Sequence, residues 1–220
     1  ILRLPEDQHE SFALEHDEEL DENFFQLASY ALQSTPDQNA RAAAAKKIDA
    51  LLRFTTFGKK LEAQEQEIRT AAESLRSFGD DLDRAAVLDL LITAPNEDRV
   101  SAIVSMIRPA LDYTFFQMLT EKVDAAEGDE KERLSQLRNS ILELTDEIDR
   151  LQEQRVNQAN ALLQSILNAE ELDKAVLAAL PYVDELFLGI LQANIRTAQE
   201  KEDKERLERL TAVDEQIRQY

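Results

Sequence analysis

The sequence predicts an all-α protein: a degenerate array of antiparallel helical hairpins with long second helices, built either as an α-α repeat or as an elongated helical bundle. Three observations lead there. The 220 residues include only four Gly, five Pro and no Trp, against abundant Ala, Leu, Glu, Gln and Arg, which is the composition of helices. Apolar residues recur at spacings of three and four, with almost no stretch of the period of two that marks strands. A short acidic-aromatic phrase also occurs three times, as Glu19-Leu-Asp-Glu-Asn-Phe-Phe-Gln-Leu27, Ala110-Leu-Asp-Tyr-Thr-Phe-Phe-Gln-Met118 and Tyr182-Val-Asp-Glu-Leu-Phe-Leu-Gly-Ile190. A phrase repeated at the head of successive helical stretches is the mark of a repeat architecture.

Residues 1–18 read as a loose acidic leader. The first unit, 19–109, opens with a helix A over roughly 19–33, whose Leu20, Phe24, Leu27, Ala28 and Ala31 define one buried face. Thr35-Pro-Asp-Gln38 supplies a capping box with Pro36 at the first helical position. Helix B starts there and runs through Ile48, Leu51, Leu52, Phe57, Leu61, Ile68, Ala72, Leu75 and Phe78 to Gly79, long and kinked near Thr55 to Gly58. Connector helices follow, one capped within Asp80 to Asp83 and stopped by Pro95, the next begun by Asn96. Pro109 and Pro181 each fall three residues before a repeated Asp and mark corners.

The second unit, 110–181, has helix A at about 110–126 and then a stretch from Lys131 to Leu167 with neither Gly nor Pro, on the order of 55 Å if unbroken. Its seam of Leu134, Leu137, Ile141, Leu144, Ile148 and Leu151 meets Arg155 and Gln158, then resumes at Val156, Ala159, Leu163 and Ile166. A short helix capped within Asn168 to Glu171 leads to Leu180. The third unit, 182–220, has helix A at about 182–199 and a truncated helix B from about 203, as a capping or cut end. The whole reads as one continuous all-α domain.

Composition narrows the function. Forty-five acidic against 25 basic side chains give a net charge of -20, a field that repels phosphate backbones and argues against direct nucleic-acid binding. No apolar run approaches the roughly 18 residues of a membrane span. The absence of Cys removes disulfides, thiolate zinc sites and cysteine nucleophiles, and is compatible with a reducing, cytoplasmic setting. The start at Ile1, with no initiator Met and no signal, reads as a fragment.

The run from Leu111 to Glu130, with Arg133-Leu-Ser-Gln-Leu-Arg138 and Leu142-Glu-Leu-Thr-Asp-Glu-Ile-Asp149, resembles the long helical C-terminal region of bacterial CpXC proteins, best over 105–150. Members of that family carry an N-terminal zinc ribbon with paired Cys, which this sequence lacks, so no zinc ligand transfers to any position here. The resemblance implies a ribbon-tethered interaction or scaffold module in a larger bacterial protein, and brings no activity with it.

Candidate sites are few. Glu6 and His9 stand at Glu-x-x-His spacing, with His16 seven residues on and Glu19 one turn beyond it. This is the one arrangement like a di-metal carboxylate site, which requires two such elements on facing helices. The repeated Asp21, Asp112 and Asp184 suit either a carboxylate cluster or first-turn helix positions. Phe24, Phe25, Phe115, Phe116 and Phe187 suit a ligand groove or a core; with the core, Phe24, Phe115 and Phe187 are all buried. Asp17, Glu18, Glu19 and Glu22 belong to a run of six carboxylates in eight residues, either a solvated face or a docking patch for a basic partner. There is no glycine-rich phosphate loop, nucleophile elbow or catalytic triad, and no cofactor is expected.

The leading expectation is therefore a non-enzymatic interaction or scaffold module with a protein partner. The alternative is a small-molecule or metal-binding helical bundle, conceivably catalytic. A self-associating rod that forms a homodimer is a third reading.

Overall fold

The structure, a computed structural model, describes residues 5–79 and 83–220, without the side chain of Glu6. Among the described residues there are α-helices and short 3-10 turns and no strand, so the all-α class is as the sequence predicts. Contacts divide the chain into two compact units, Ile1–Ile141 and Leu142–Tyr220. The boundary falls inside the long helix of the second sequence unit.

From Pro5 onward the expected loose leader is helical. A 3-10 turn at Glu6–Gln8 leads into α1 (His9–Glu15), which buries His9 and Ala13. Next come α2 (Glu22–Gln33) and α3 (Gln38–Leu52), with α1 and α2 both packed on α3. Ala13, Leu20 and Leu51 form the small core of this region, with Phe12, Phe24, Phe25 and Phe54 against it. The cap of α3 also differs from the expected capping box. Asp37, not Thr35, accepts from the amides of Asn39 and Ala40 at 2.8 and 3.0 Å, and the Thr35 hydroxyl turns back to the Ala31 carbonyl at 2.9 Å. A carboxylate cap outcompetes a hydroxyl because the helix N-terminus favours negative charge.

The expected kinked helix B is two helices, α3 and α4 (Thr56–Phe78). Buried Thr55 makes the break: its hydroxyl donates to the Leu52 carbonyl at 2.7 Å and accepts from the Gly58 amide at 3.0 Å, closing one helix and capping the next. Gly58 sits so near the turn that a Cβ there would lie 1.8 Å from the Leu52 oxygen. Gly79 closes α4 at φ +51°, in the left-handed region that glycine enters without strain. Of the expected Asp80 to Asp83 cap, Asp80, Asp81 and Leu82 lie outside the described residues, while Asp83 caps α5 (Arg84–Ile92) by accepting from the Ala86 amide at 2.8 Å.

Asn96 begins α6 (Glu97–Ile107), as its position predicts. α6 packs along α4, and half-buried Glu67 ties the pair, accepting from the Asn96 side chain at 3.0 Å and meeting Arg99 at 2.6 Å. A 3-10 corner at Arg108–Ala110 holds Pro109 and leads into α7 (Tyr113–Ala125), which packs on α5. Val87, Leu91, Ile103, Leu111, Phe115, Leu119 and Val123 are buried.

The helix α8 (Gly128–Asn168) runs unbroken through the boundary between units. Its seam is buried at Leu134 and Ile141 and again at Leu163, Ile166 and Leu167, whereas no residue from 146 to 162 is buried. In the second unit, α9 (Leu172–Ala179) follows with Glu171 at its cap position but no side-chain capping bond. A 3-10 corner at Leu180–Tyr182 holds Pro181, α10 (Glu185–Glu200) follows, and α11 (Lys204–Ile217) packs on both α9 and α10. Leu163, Ile166, Phe187, Leu191, Leu210 and Val213 form this unit's core.

Candidate functional site

The repeated phrase is a helix start. In each copy the Asp stands one residue before the helix and accepts from the amide of the Phe three residues on: Asp21 from Phe24 at 2.9 Å, Asp112 from Phe115 at 3.0 Å, Asp184 from Phe187 at 2.8 Å. An Asp at that place satisfies an amide with no partner inside the helix, and the Phe at the same place turns inward. The three carboxylates therefore each serve their own corner. Among the described residues no three His, Asp or Glu side chains gather as a metal site.

Two corners carry a second bond. Arg84 Nε donates to Asp112 at 3.0 Å, and Arg155 Nη2 to Asp184 at 3.0 Å. The Arg84 guanidinium, then the Phe115 amide, hold the Asp112 carboxyl at about 2 against an ordinary 3.8. For Asp184 the Phe187 amide leads and Arg155 adds to it, again lowering the pKa. Asp21 is lowered chiefly by the Phe24 amide, and among the described residues its outer oxygen receives the Asn23 side chain alone, at 3.3 Å. Asp112 makes no bond to Arg133, which pairs with Glu130 at 2.8 Å.

The first copy also differs in packing. Phe115 and Phe187 are fully buried, but Phe24 is only half-buried, which corrects the expectation that all three are core. At the position seven after each Asp, Leu119 and Leu191 are inaccessible, whereas Ala28 is half-buried. No residue of α2 is buried. Leu27 is 70% and Tyr30 71% exposed; three apart, they share one helix face. Tyr30 stands where the other copies have Glu121 and Ala193.

The acidic run forms the link between α1 and α2. Asp17 is committed there: its carboxylate accepts from the Thr56 amide at 2.7 Å and from the Thr56 hydroxyl at 2.6 Å, across 39 residues of sequence. The Thr56 hydroxyl, then the Thr56 amide, lower its pKa. It thus anchors the first turn of α4, where the dipole favours a negative charge. Glu18 and Glu19 are exposed, Glu19 lies 3.5 Å from His16, and Glu22 accepts from Gln26 at 2.9 Å.

The histidines diverge. His9 is buried, its Nε2 without a hydrogen bond among the described residues, while His16 rests on Phe12 at 4.4 Å between ring centres and faces Glu19. The Glu6 side chain lies outside the description, so the Glu-x-x-His pair itself is not seen. Hollows of about 440 Å³ beside Arg155, Leu162, Tyr182 and Leu186, and of about 250 Å³ beside Ile68, Ser101 and Met106, are not lined by the recurring phenylalanines. No described helix is long and apolar enough to cross a membrane.

Compared with known protein families, curated proteins and solved structures, the chain matches none.

Proposed function

We propose that the chain is a non-enzymatic interaction or scaffold module and that the outer face of α2 is where it meets a protein partner. The observation that carries this is the contrast between three copies of one phrase: the same helix start leads into helices with fully buried residues at α7 and α10, but at α2 into one that has none and leaves Leu27 and Tyr30 in the open. Apolar side chains held on a formed helix favour association, because covering them removes apolar surface from water.

The exposed Glu18, Glu19 and Glu22 flank that helix and suit a partner with basic residues around an apolar stripe. The likeness of residues 105–150 to the helical region of CpXC proteins supports a scaffold role and carries no chemistry. A cytoplasmic setting belongs to the same proposal, since a chain free of cysteine is compatible with a reducing compartment.

Affinity capture with the unaltered chain and with the Leu27→Asp, Tyr30→Asp double variant tests this. Both side chains are exposed, so the variant keeps its melting temperature. A partner held by the unaltered chain and lost from the variant supports the proposal; an identical set of captured proteins contradicts it.

A further inference from the structure

The turn between α10 and α11 is held in a conformation its residues do not favour. α10 ends in a Schellman turn: the Glu202 amide donates to the Gln199 carbonyl at 3.1 Å and the Asp203 amide to the Ala198 carbonyl at 3.0 Å, with Glu202 at φ +54°. Among the described residues three have a positive φ, and the other two, Gly79 and Gly128, are glycines. Gly128 marks the equivalent turn. It opens α8, which then carries Lys131-Glu-Arg-Leu134 as α11 carries Lys204-Glu-Arg-Leu207. A residue with a Cβ is strained in the left-handed region, and glycine is not.

The turn is also written mostly in helix formers. Gln199-Glu-Lys-Glu-Asp-Lys-Glu-Arg206 holds neither Gly nor Pro. Glu200 with Lys204, and Glu202 with Arg206, are opposite charges four apart, and such pairs meet only if the helix runs on through the turn. The hold on α11, by contrast, lies away from the turn. α11 buries Leu210 and Val213 in the core of its unit and packs on α9 and α10. It lies antiparallel to α10, with Arg206 Nη2 donating to Asn194 at 2.9 Å and Gln192 donating to Asp214 at 2.8 Å, and Gln216 donates to Asp173 of α9.

We infer that α11 is an exchangeable arm, and that the surface of α9 and α10 beneath it takes α11 of a second copy of this chain. Opening the turn lets α10 and α11 run on as one helix from Glu185 to Ile217. Two such helices lie antiparallel across a two-fold axis, so that each α11 rests on the other copy's α10 and α9 with the contacts of the closed form. Exchange keeps those contacts, releases Glu202 from the left-handed region in both chains, and gives the amides and carbonyls of the turn helical partners. Against it stands the freedom lost when two chains become one body. Protein concentration and the residue at position 202 therefore set the balance, and a short connection under strain is what favours exchange between identical chains. The exchange uses the second unit alone and is independent of the partner proposed for α2.

The full chain has no cysteine, so Gln192→Cys with Asp214→Cys sets a unique thiol pair across α10 and α11, which a short bis-maleimide joins. Size exclusion of chain refolded at high concentration separates monomer from dimer before cross-linking. Exchange predicts a dimer whose link joins two chains on a denaturing gel, beside a monomer whose link stays within one. In the otherwise unaltered chain, Glu202→Gly relieves the turn and weakens the continuous helix, so it lowers the dimer-to-monomer ratio by about tenfold or more. Glu202→Ala, strained in the turn and favoured in the helix, maintains or raises that ratio. A monomer at every concentration, a dimer whose links stay within single chains, or a ratio indifferent to Glu202→Gly overturns the exchange.

Discussion

Arg84 Nε meets Asp112 Oδ1 at 3.0 Å while the same oxygen receives the Phe115 amide at 3.0 Å, so a single carboxylate fixes the start of α7 and the start of α5 together. A pH dependence of stability follows from it. The folded Asp112 carboxyl titrates at about 2, below its ordinary 3.8. Its contribution is therefore complete above the ordinary value and is lost as pH falls through the folded one. Asp112→Asn lowers the melting temperature at neutral pH, and the gap to the unaltered protein closes as pH drops from about 4 to about 2. A gap that stays constant over that range contradicts the pair's role.

The burial contrast between copies of the phrase has a stability consequence. Phe115→Ala opens a cavity at a fully buried site and costs about 3–5 kcal/mol. Phe24→Ala, at a half-buried site, costs clearly less. Denaturant melts that give the two substitutions equal effects contradict the reading of α2 as an uncovered helix.

Gly58→Ala tests the break between α3 and α4. Its added Cβ meets the Leu52 carbonyl, a backbone atom that cannot swing aside as a side chain can, at 1.8 Å. The substitution destabilises by about 1–3 kcal/mol by overpacking. A neutral melt would show that the two helices are one kinked helix after all.

The acidic run divides by role. Asp17→Asn weakens the hold on Thr56 and lowers the melting temperature, whereas neutralising Glu18, Glu19 and Glu22 together leaves it unchanged, because exposed charges contribute little to stability. With a partner in hand, the triple change slows association, and added salt weakens binding as the Debye length falls from about 10 Å towards 3 Å. Binding indifferent to both makes the run a solubilising face only.

Much of this fold is legible in the sequence because its signals are local. Asp83, Asn96, Asp112, Asp184 and Asp203 each cap the helix that follows them, and a cap is decided within four residues. The break in helix B of the first unit is local too, made by the Thr55 hydroxyl between Leu52 and Gly58, and it is masked because apolar periodicity continues across it. The rest of what the sequence hid depends on distant partners. Asp17 looks like one more solvated carboxylate until Thr56 is brought to it. The apolar stripe of α2 resembles those of α7 and α10, and only the neighbours a helix receives decide which stripe is covered. Arg84 and Arg155 lie 28 and 29 residues before their Asp, a spacing with no local signature.

Amide hydrogen exchange of α2, α7 and α10, measured with the chain alone and with its captured partner, tests the central claim most directly. The account predicts that Glu22–Gln33 exchange faster than Tyr113–Ala125 and Glu185–Glu200 in the chain alone, and slow towards their level when the partner binds. Protection confined to other helices, with α2 unchanged on binding, would contradict it.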